Sequence, residues 1–70
     1  MESRIERPNL LELRLARGWT QQIAAEHADM SRSYYAMIET QNRTPSIAAA
    51  RKLASIFRFS WTAFFHEGGV

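Results

Sequence analysis

Between Thr20 and Glu39, two short helical patterns follow one another with only Ala28-Asp29-Met30 between them. That leaves room for nothing but a tight corner. Thr20 and Ser31 each stand just ahead of a pattern, where a hydroxyl accepts from an unpaired N–H of the first turn. The first pattern would bury Ala24, Ala25 and Ala28, and the second Tyr35 and Ile38. Small residues on one helix let the next approach closely and cross it steeply. The opening turn of the second helix, Arg32-Ser33-Tyr34, is then left pointing away from the core.

Charge sharpens the reading. From Met1 to Asp29 the chain has four arginines against five acids, but from Met30 to Ser60 it has Arg32, Arg43, Arg51, Lys52 and Arg58 against Glu39 alone. Eight of the nine basic residues are arginine, whose planar fork suits bidentate recognition of phosphate and guanine. A protruding helix start that carries an arginine fits a DNA major groove, and here it coincides with the basic half.

A chain of 70 residues makes one domain near the lower limit of independent folding. Such a domain buries only about 60% of its unfolded surface. Its core contributes no more than roughly 3–5 kcal/mol of net stability. Without cysteine there is no disulfide or thiolate metal site, and a reducing compartment is compatible. The apolar runs are too short to span a bilayer, and no charged-then-apolar leader opens the chain, so a cytoplasmic protein with no membrane partner is expected.

In chain order, residues 1–8 show no period and Pro8 stops any helix, so a flexible arm is expected, with Arg4 and Arg7 as solvated charges. Asn9 to Arg17 reads as the first helix: Asn9 caps it, Glu12 completes a capping-box pattern, and Leu10, Leu13 and Arg17 share a stripe with Leu11 and Leu15 beside it. Gly18 closes it in the left-handed conformation, and Trp19 packs between the first two helices. Thr20 to Ala28 is the second helix, with Gln21 and Gln22 where amides and free N–H groups meet a phosphate. Ser31 to about Thr40 is the third, and Gln41 to Pro45 a polar loop. Either Thr44, with Pro45 at the first helical position, or Ser46 caps the fourth helix, which runs to Phe57. Ile47, Ala50, Leu53, Ala54 and Phe57 repeat along it at three and four residues. Ser60 caps a short last helix, Trp61 to about His66, and residues 67–70 form a mobile tail. The whole is an all-α, five-helix bundle over residues 9–66.

No constellation supports catalysis. His27 and His66 are isolated, and no nucleophile, base or glycine-rich phosphate loop stands at a recognisable spacing, so no enzyme activity, cofactor or metal is expected. Trp61, Phe64 and Phe65 are more aromatic surface than so small a core hides, and part of it is expected to form a homodimer interface.

The chain resembles the Cro/CI-type, or XRE, helix-turn-helix family of phage and bacterial regulators. The resemblance rests on Leu13-Arg14, Arg17-Gly18-Trp19-Thr20-Gln21, Ala25, Ser31, Tyr35, Ile38-Glu39, Pro45-Ser46, Leu53-Ala54, Ser60-Trp61 and Phe64-Phe65, across about residues 9–65. It implies a compact lambda-repressor-like domain whose third helix enters the major groove. Members bind inverted-repeat operators as symmetric dimers, with half-sites about 34–36 Å apart. Carried over, Gln21 would bond a phosphate and brace the third helix. Arg32 and Ser33 would face base edges, Tyr34 bases or backbone, and Thr40, Asn42 and Arg43 phosphates. Met37 on the outer side could brush a base, and Thr20 and Arg17 lie near enough to the second helix to join the phosphate set. The function implied is a sequence-specific regulator of transcription, a repressor, acting on double-stranded DNA. The rival reading is a protein-interaction module of the same fold, such as an antitoxin or anti-repressor.

Three positions depart from the family pattern. Asp29 replaces the corner glycine at a cost of about 1 kcal/mol. Gln41 replaces the loop glycine after the third helix, with Asn42 expected to take the left-handed role. Ala24 replaces a large aliphatic residue and Ile23 sits one place earlier. Either the second helix rotates slightly to bury Ile23, or Ile23 is exposed beside a small void, which would give a soft second helix or a patch for a partner.

Overall fold

The computed structural model describes residues 7–65 and places four α-helices along them: α1 (Leu10–Ala16), α2 (Gln21–His27), α3 (Arg32–Glu39) and α4 (Ile47–Phe57). A 3-10 helix, Trp61–Phe65, follows. Among the described residues there is no strand, and the fold is all-α. The fifth element is thus a 3-10 helix rather than the expected α-helix. It has only five residues, and the Ala63 N–H reaches the Ser60 carbonyl three residues back. Residues 1–6 of the expected arm, His66, and the tail 67–70 lie outside the described residues.

Each α-helix begins where its cap predicts. Asn9, Thr20, Ser31 and Ser46 accept from the backbone N–H of Glu12, Ile23, Tyr34 and Ala49, each at 3.1 Å. Ser46, not Thr44, therefore caps α4, and Pro45 is buried just before it.

The helix ends share one device. After α1, α2 and α3, a residue of positive φ turns the chain, at Gly18 (71°), Asp29 (58°) and Gln41 (67°). The following N–H then reaches back to the helix: Trp19 to the Arg14 carbonyl (3.2 Å), Met30 to Ala25 (3.0 Å) and Asn42 to Met37 (2.9 Å). This is the Schellman pattern. Trp19 and Met30 fold back against the core, whereas Asn42 is polar and exposed, so the chain leaves the bundle there. Gln41, not Asn42, takes the left-handed position, because it is the residue that directly follows the last turn of α3. A side chain in that conformation costs about 1–2 kcal/mol. Gln41→Gly is expected to stabilise the domain by about 0.5–1 kcal/mol, after allowing for the greater freedom of glycine in the unfolded chain. A raised urea midpoint at unchanged slope would show it.

The core lies where α2 meets α3 and where α4 meets the 3-10 helix. Ala24, Ala25 and Tyr35 are wholly buried, with Ala28 and Ile38 at 1% exposure, as the helical spacing predicts. Three alanines against one tyrosine and one isoleucine is the pairing of small with large that lets two helices cross closely. Leu10, Ala50, Leu53, Phe57 and Phe64 complete the core.

Several apolar side chains lie outside it. Ile23 is exposed, so α2 is not rotated to bury it: Ala24 and Ala25 already occupy the inner face. Ile47 is exposed although it belongs to the repeat of α4, because it opens the helix beyond the bundle's edge. Leu11 and Leu15 are exposed as well: among the described residues, α1 packs on the core through its Leu10 and Leu13 side. Arg7 is not simply solvated: its guanidinium lies 5.5 Å from the centre of the Phe64 ring. Phe64 itself is 2% exposed and belongs to the core, so among the three aromatics of the expected interface only half-buried Trp61 and exposed Phe65 offer surface.

Candidate nucleic-acid interface

The site is built on α3, whose two faces differ completely. Tyr35 and Ile38 turn inward, while Arg32 and Ser33 at the opening turn are exposed. Among the described residues, Arg32 has neither an ion-pair nor a hydrogen-bond partner, so its guanidinium is available to a ligand. Met37, one turn on, is partly exposed on the outer side.

The far end of α3 is clamped. Arg14 from α1 makes a forked ion pair with Glu39, Nε to Oε1 at 2.8 Å and Nη2 to Oε2 at 3.0 Å. The third nitrogen of the same guanidinium donates to the Trp19 carbonyl at 2.9 Å. Gln21 from α2 donates its amide to Glu39 Oε2 at 3.2 Å. One carboxylate thus ties three helices and the α1–α2 connection together. An acid in the last turn of a helix opposes the macrodipole, and here the arginine offsets it. Burial alone would raise the Glu39 carboxyl, but hydrogen bonds to it and the Arg14 charge outweigh burial and hold it below its ordinary value. The Tyr35 hydroxyl lies buried beside the pair, short of full hydrogen-bond geometry. Burial above all, with the Glu39 carboxylate next to it, keeps that phenol well above its ordinary value and therefore neutral.

Sequence reasoning missed this clamp, although its signal was present: Glu39 is the one acid in the basic half, set at the wrong end of a helix for its charge. Gln21 is brought to α3 as a brace, through its amide nitrogen. Thr20 uses its hydroxyl as the α2 cap. Arg17 points elsewhere. Its guanidinium donates to the Leu13 and Ile56 carbonyls and lies over the rings of Phe57 (5.0 Å) and Trp19 (5.5 Å), on the side of α4 rather than α3.

Beyond α3, Thr40 donates back to the Ala36 carbonyl at 2.9 Å and accepts from the Asn42 amide at 3.1 Å. The Arg43 N–H reaches the Met37 carbonyl, which fixes the start of the loop. Thr40, Asn42 and Arg43 are all exposed beside the end of α3. Tyr34 is drawn toward this loop. Its hydroxyl accepts from the Ser46 N–H at 3.0 Å, and the Arg43 guanidinium lies 5.5 Å from its ring centre. On the opposite flank Lys52 meets Asp29 at the corner (3.1 Å), an exposed pair that contributes little to stability. His27, expected as an isolated surface residue, stacks on Trp19 with ring centres 4.3 Å apart.

Two short helices joined by a four-residue corner, 28–31, the second with an exposed leading turn, are the defining unit of helix-turn-helix domains. The chain belongs to the Cro/CI-type, or XRE, helix-turn-helix family: a family model described as helix-turn-helix matches residues 10–64. It is 41% identical over 54 residues, 77% of this chain and 71% of the relative, to a protein of Bacillus subtilis (strain 168) described as the uncharacterized HTH-type transcriptional regulator YqaF. No solved structure matches it.

Proposed function

We propose that this chain is a sequence-specific, double-stranded-DNA-binding regulator of transcription that acts as a homodimer on an inverted-repeat operator and represses by occupying it. α3 enters the major groove with Arg32, Ser33 and Met37 toward base edges. Thr40, Asn42 and Arg43 follow the phosphates on one side and Gln21 and Thr20, at the start of α2, on the other; Arg17, turned toward α4, stands outside this set. Two copies present their α3 helices about 34–36 Å apart, paired through the exposed surface of Trp61 and Phe65. The carrying observation is the exposed turn at Arg32 and Ser33, without a partner among the described residues, on a helix whose inner face is buried and whose far end is clamped at Glu39. Bidentate readout needs that rigidity, because a loosely held arginine does not select guanine.

Selection of bound duplexes from a random pool tests this directly, with an inverted repeat as the expected product. Titrations on the recovered site and on a scrambled duplex then separate the roles. Arg32→Ala is expected to cost about 1–3 kcal/mol on the operator and little on the scrambled duplex. Arg43→Ala is expected to weaken both alike and to reduce the salt slope by about 0.9. Equal losses on both duplexes for Arg32→Ala would remove its base-reading role. A chain that retains one stoichiometric protein and no duplex would instead be the interaction module.

A further inference from the structure

Tyr34 stands in the leading half of α3, where a side chain is ordinarily counted among those that face bases. Three observations tie it elsewhere. Its ring packs against the core, its hydroxyl accepts from the Ser46 N–H, and the Arg43 guanidinium lies 5.5 Å from its ring centre. The Ser46 bond has a local cause. A capping serine commonly has its own N–H satisfied by a Glu or Gln three residues on. That place in α4 is Ala49, which has no acceptor to offer, and the Tyr34 hydroxyl supplies one from the neighbouring helix. Swinging toward a groove would cost Tyr34 its bond to the Ser46 N–H, which water would then have to satisfy.

The loop gives the arrangement its use. Asn42, unlike Trp19 and Met30 after the earlier helices, does not fold back onto the core, so Arg43 is exposed. Among the described residues Arg43 has no acidic partner, and the ring of Tyr34 is what its guanidinium lies on. We propose that Tyr34 is a positioning residue rather than a base reader: anchored through Ser46, its ring holds the Arg43 guanidinium at the edge of α3, directed to a phosphate of the DNA backbone. A planar guanidinium over an aromatic face keeps its edge N–H groups free for two phosphate oxygens. Tyr34 thereby couples the spacing between α3 and the start of α4 to the place where the backbone is gripped.

This rests on the DNA-binding reading above, and the test keeps the two apart. Wild type, Tyr34→Phe, Tyr34→Leu, Arg43→Ala and the double variant Tyr34→Leu/Arg43→Ala are titrated on the selected operator and a scrambled duplex, below the melting temperature of each. Tyr34→Leu is expected to lose about two- to fivefold on both duplexes, because the Arg43 side chain must then be ordered when DNA binds. The double variant is expected to bind no worse than Arg43→Ala alone, since the ring has nothing left to position. Tyr34→Phe keeps the ring but frees it from Ser46, and is expected to melt lower, to lose less affinity than Tyr34→Leu and to keep the base preference. If the losses of Tyr34→Leu and Arg43→Ala multiply, the coupling does not exist. If either Tyr34 variant changes the preferred base at one operator position, Tyr34 reads bases and the proposal is overturned. Wild-type protein that binds no duplex would overturn both this proposal and the DNA-binding reading; binding by wild type with independent Tyr34 and Arg43 effects overturns this proposal alone.

Discussion

Glu39→Ala is expected to remove about 3 kcal/mol of folding stability, seen as a fall in the urea midpoint. The change leaves the Arg14 guanidinium, whose side chain is only 12% exposed, without its partner, and frees the Gln21 amide as well. Removing one member of such a pair is costlier than the pair is worth, because the remaining charge stays desolvated. In a domain with about 3–5 kcal/mol to lose, the variant is close to unfolding at room temperature. Arg14→Met/Glu39→Leu, which removes both charges and fills the space, is expected to recover most of the loss. A fall below about 1 kcal/mol for Glu39→Ala would place the pair among solvent-screened surface bridges.

The same carboxylate sets an acid dependence. Its pKa in the folded protein is lower than in the unfolded chain, so the unfolded chain takes up the proton first as the pH falls. The stabilisation is full at neutral pH. It begins to fade near the ordinary value of 4.5 and is lost as the pH drops through the lower folded value. Glu39→Gln removes this dependence, which a set of urea midpoints between neutral and acid pH would reveal.

Phe64→Ala is expected to cost about 3–5 kcal/mol, the usual penalty for emptying the place of a buried ring. Phe64 is 2% exposed and meets the Phe59 ring edge-on at 5.5 Å between centres. It is the residue through which the 3-10 helix closes the α4 side of the core. Phe65→Ser, one residue on, is expected to change stability by less than about 0.5 kcal/mol, as exposed substitutions do. Its effect would fall on self-association, measured by sedimentation, if that surface joins two copies. A Phe64→Ala protein that melts within a degree or two of wild type would show that the last helix is not needed for the fold.

What could be read in advance was local. Asn9, Thr20, Ser31 and Ser46 mark helix starts because a cap works through a bond three residues away. Asp29 keeps its corner for an equally local reason: few side chains tolerate that backbone conformation better. The buried faces of α2 and α3 followed from spacing. Spacing failed at Leu11, Leu15 and Ile47, which have the right period but are left uncovered among the described residues. Which of the three C-terminal aromatics closes the core, Phe64, and which residue after α3 turns left-handed, Gln41 rather than Asn42, came only with the structure. Of the candidate site, the free turn at Arg32 and Ser33 was legible, and the clamp behind it was not.

The order of residues, taken alone, was enough to establish an all-α chain, its corner and its basic half, because each depends on contacts within a turn or two of helix. It could not say which cations are spoken for. Arg14 is held by an acid on another helix, Arg17 and Arg43 lie over rings, and Arg32 is left open. In sequence these arginines are alike. They differ only once helices far apart in the chain are packed together, since an ion pair or a stacked ring depends on distance in space and not along the backbone.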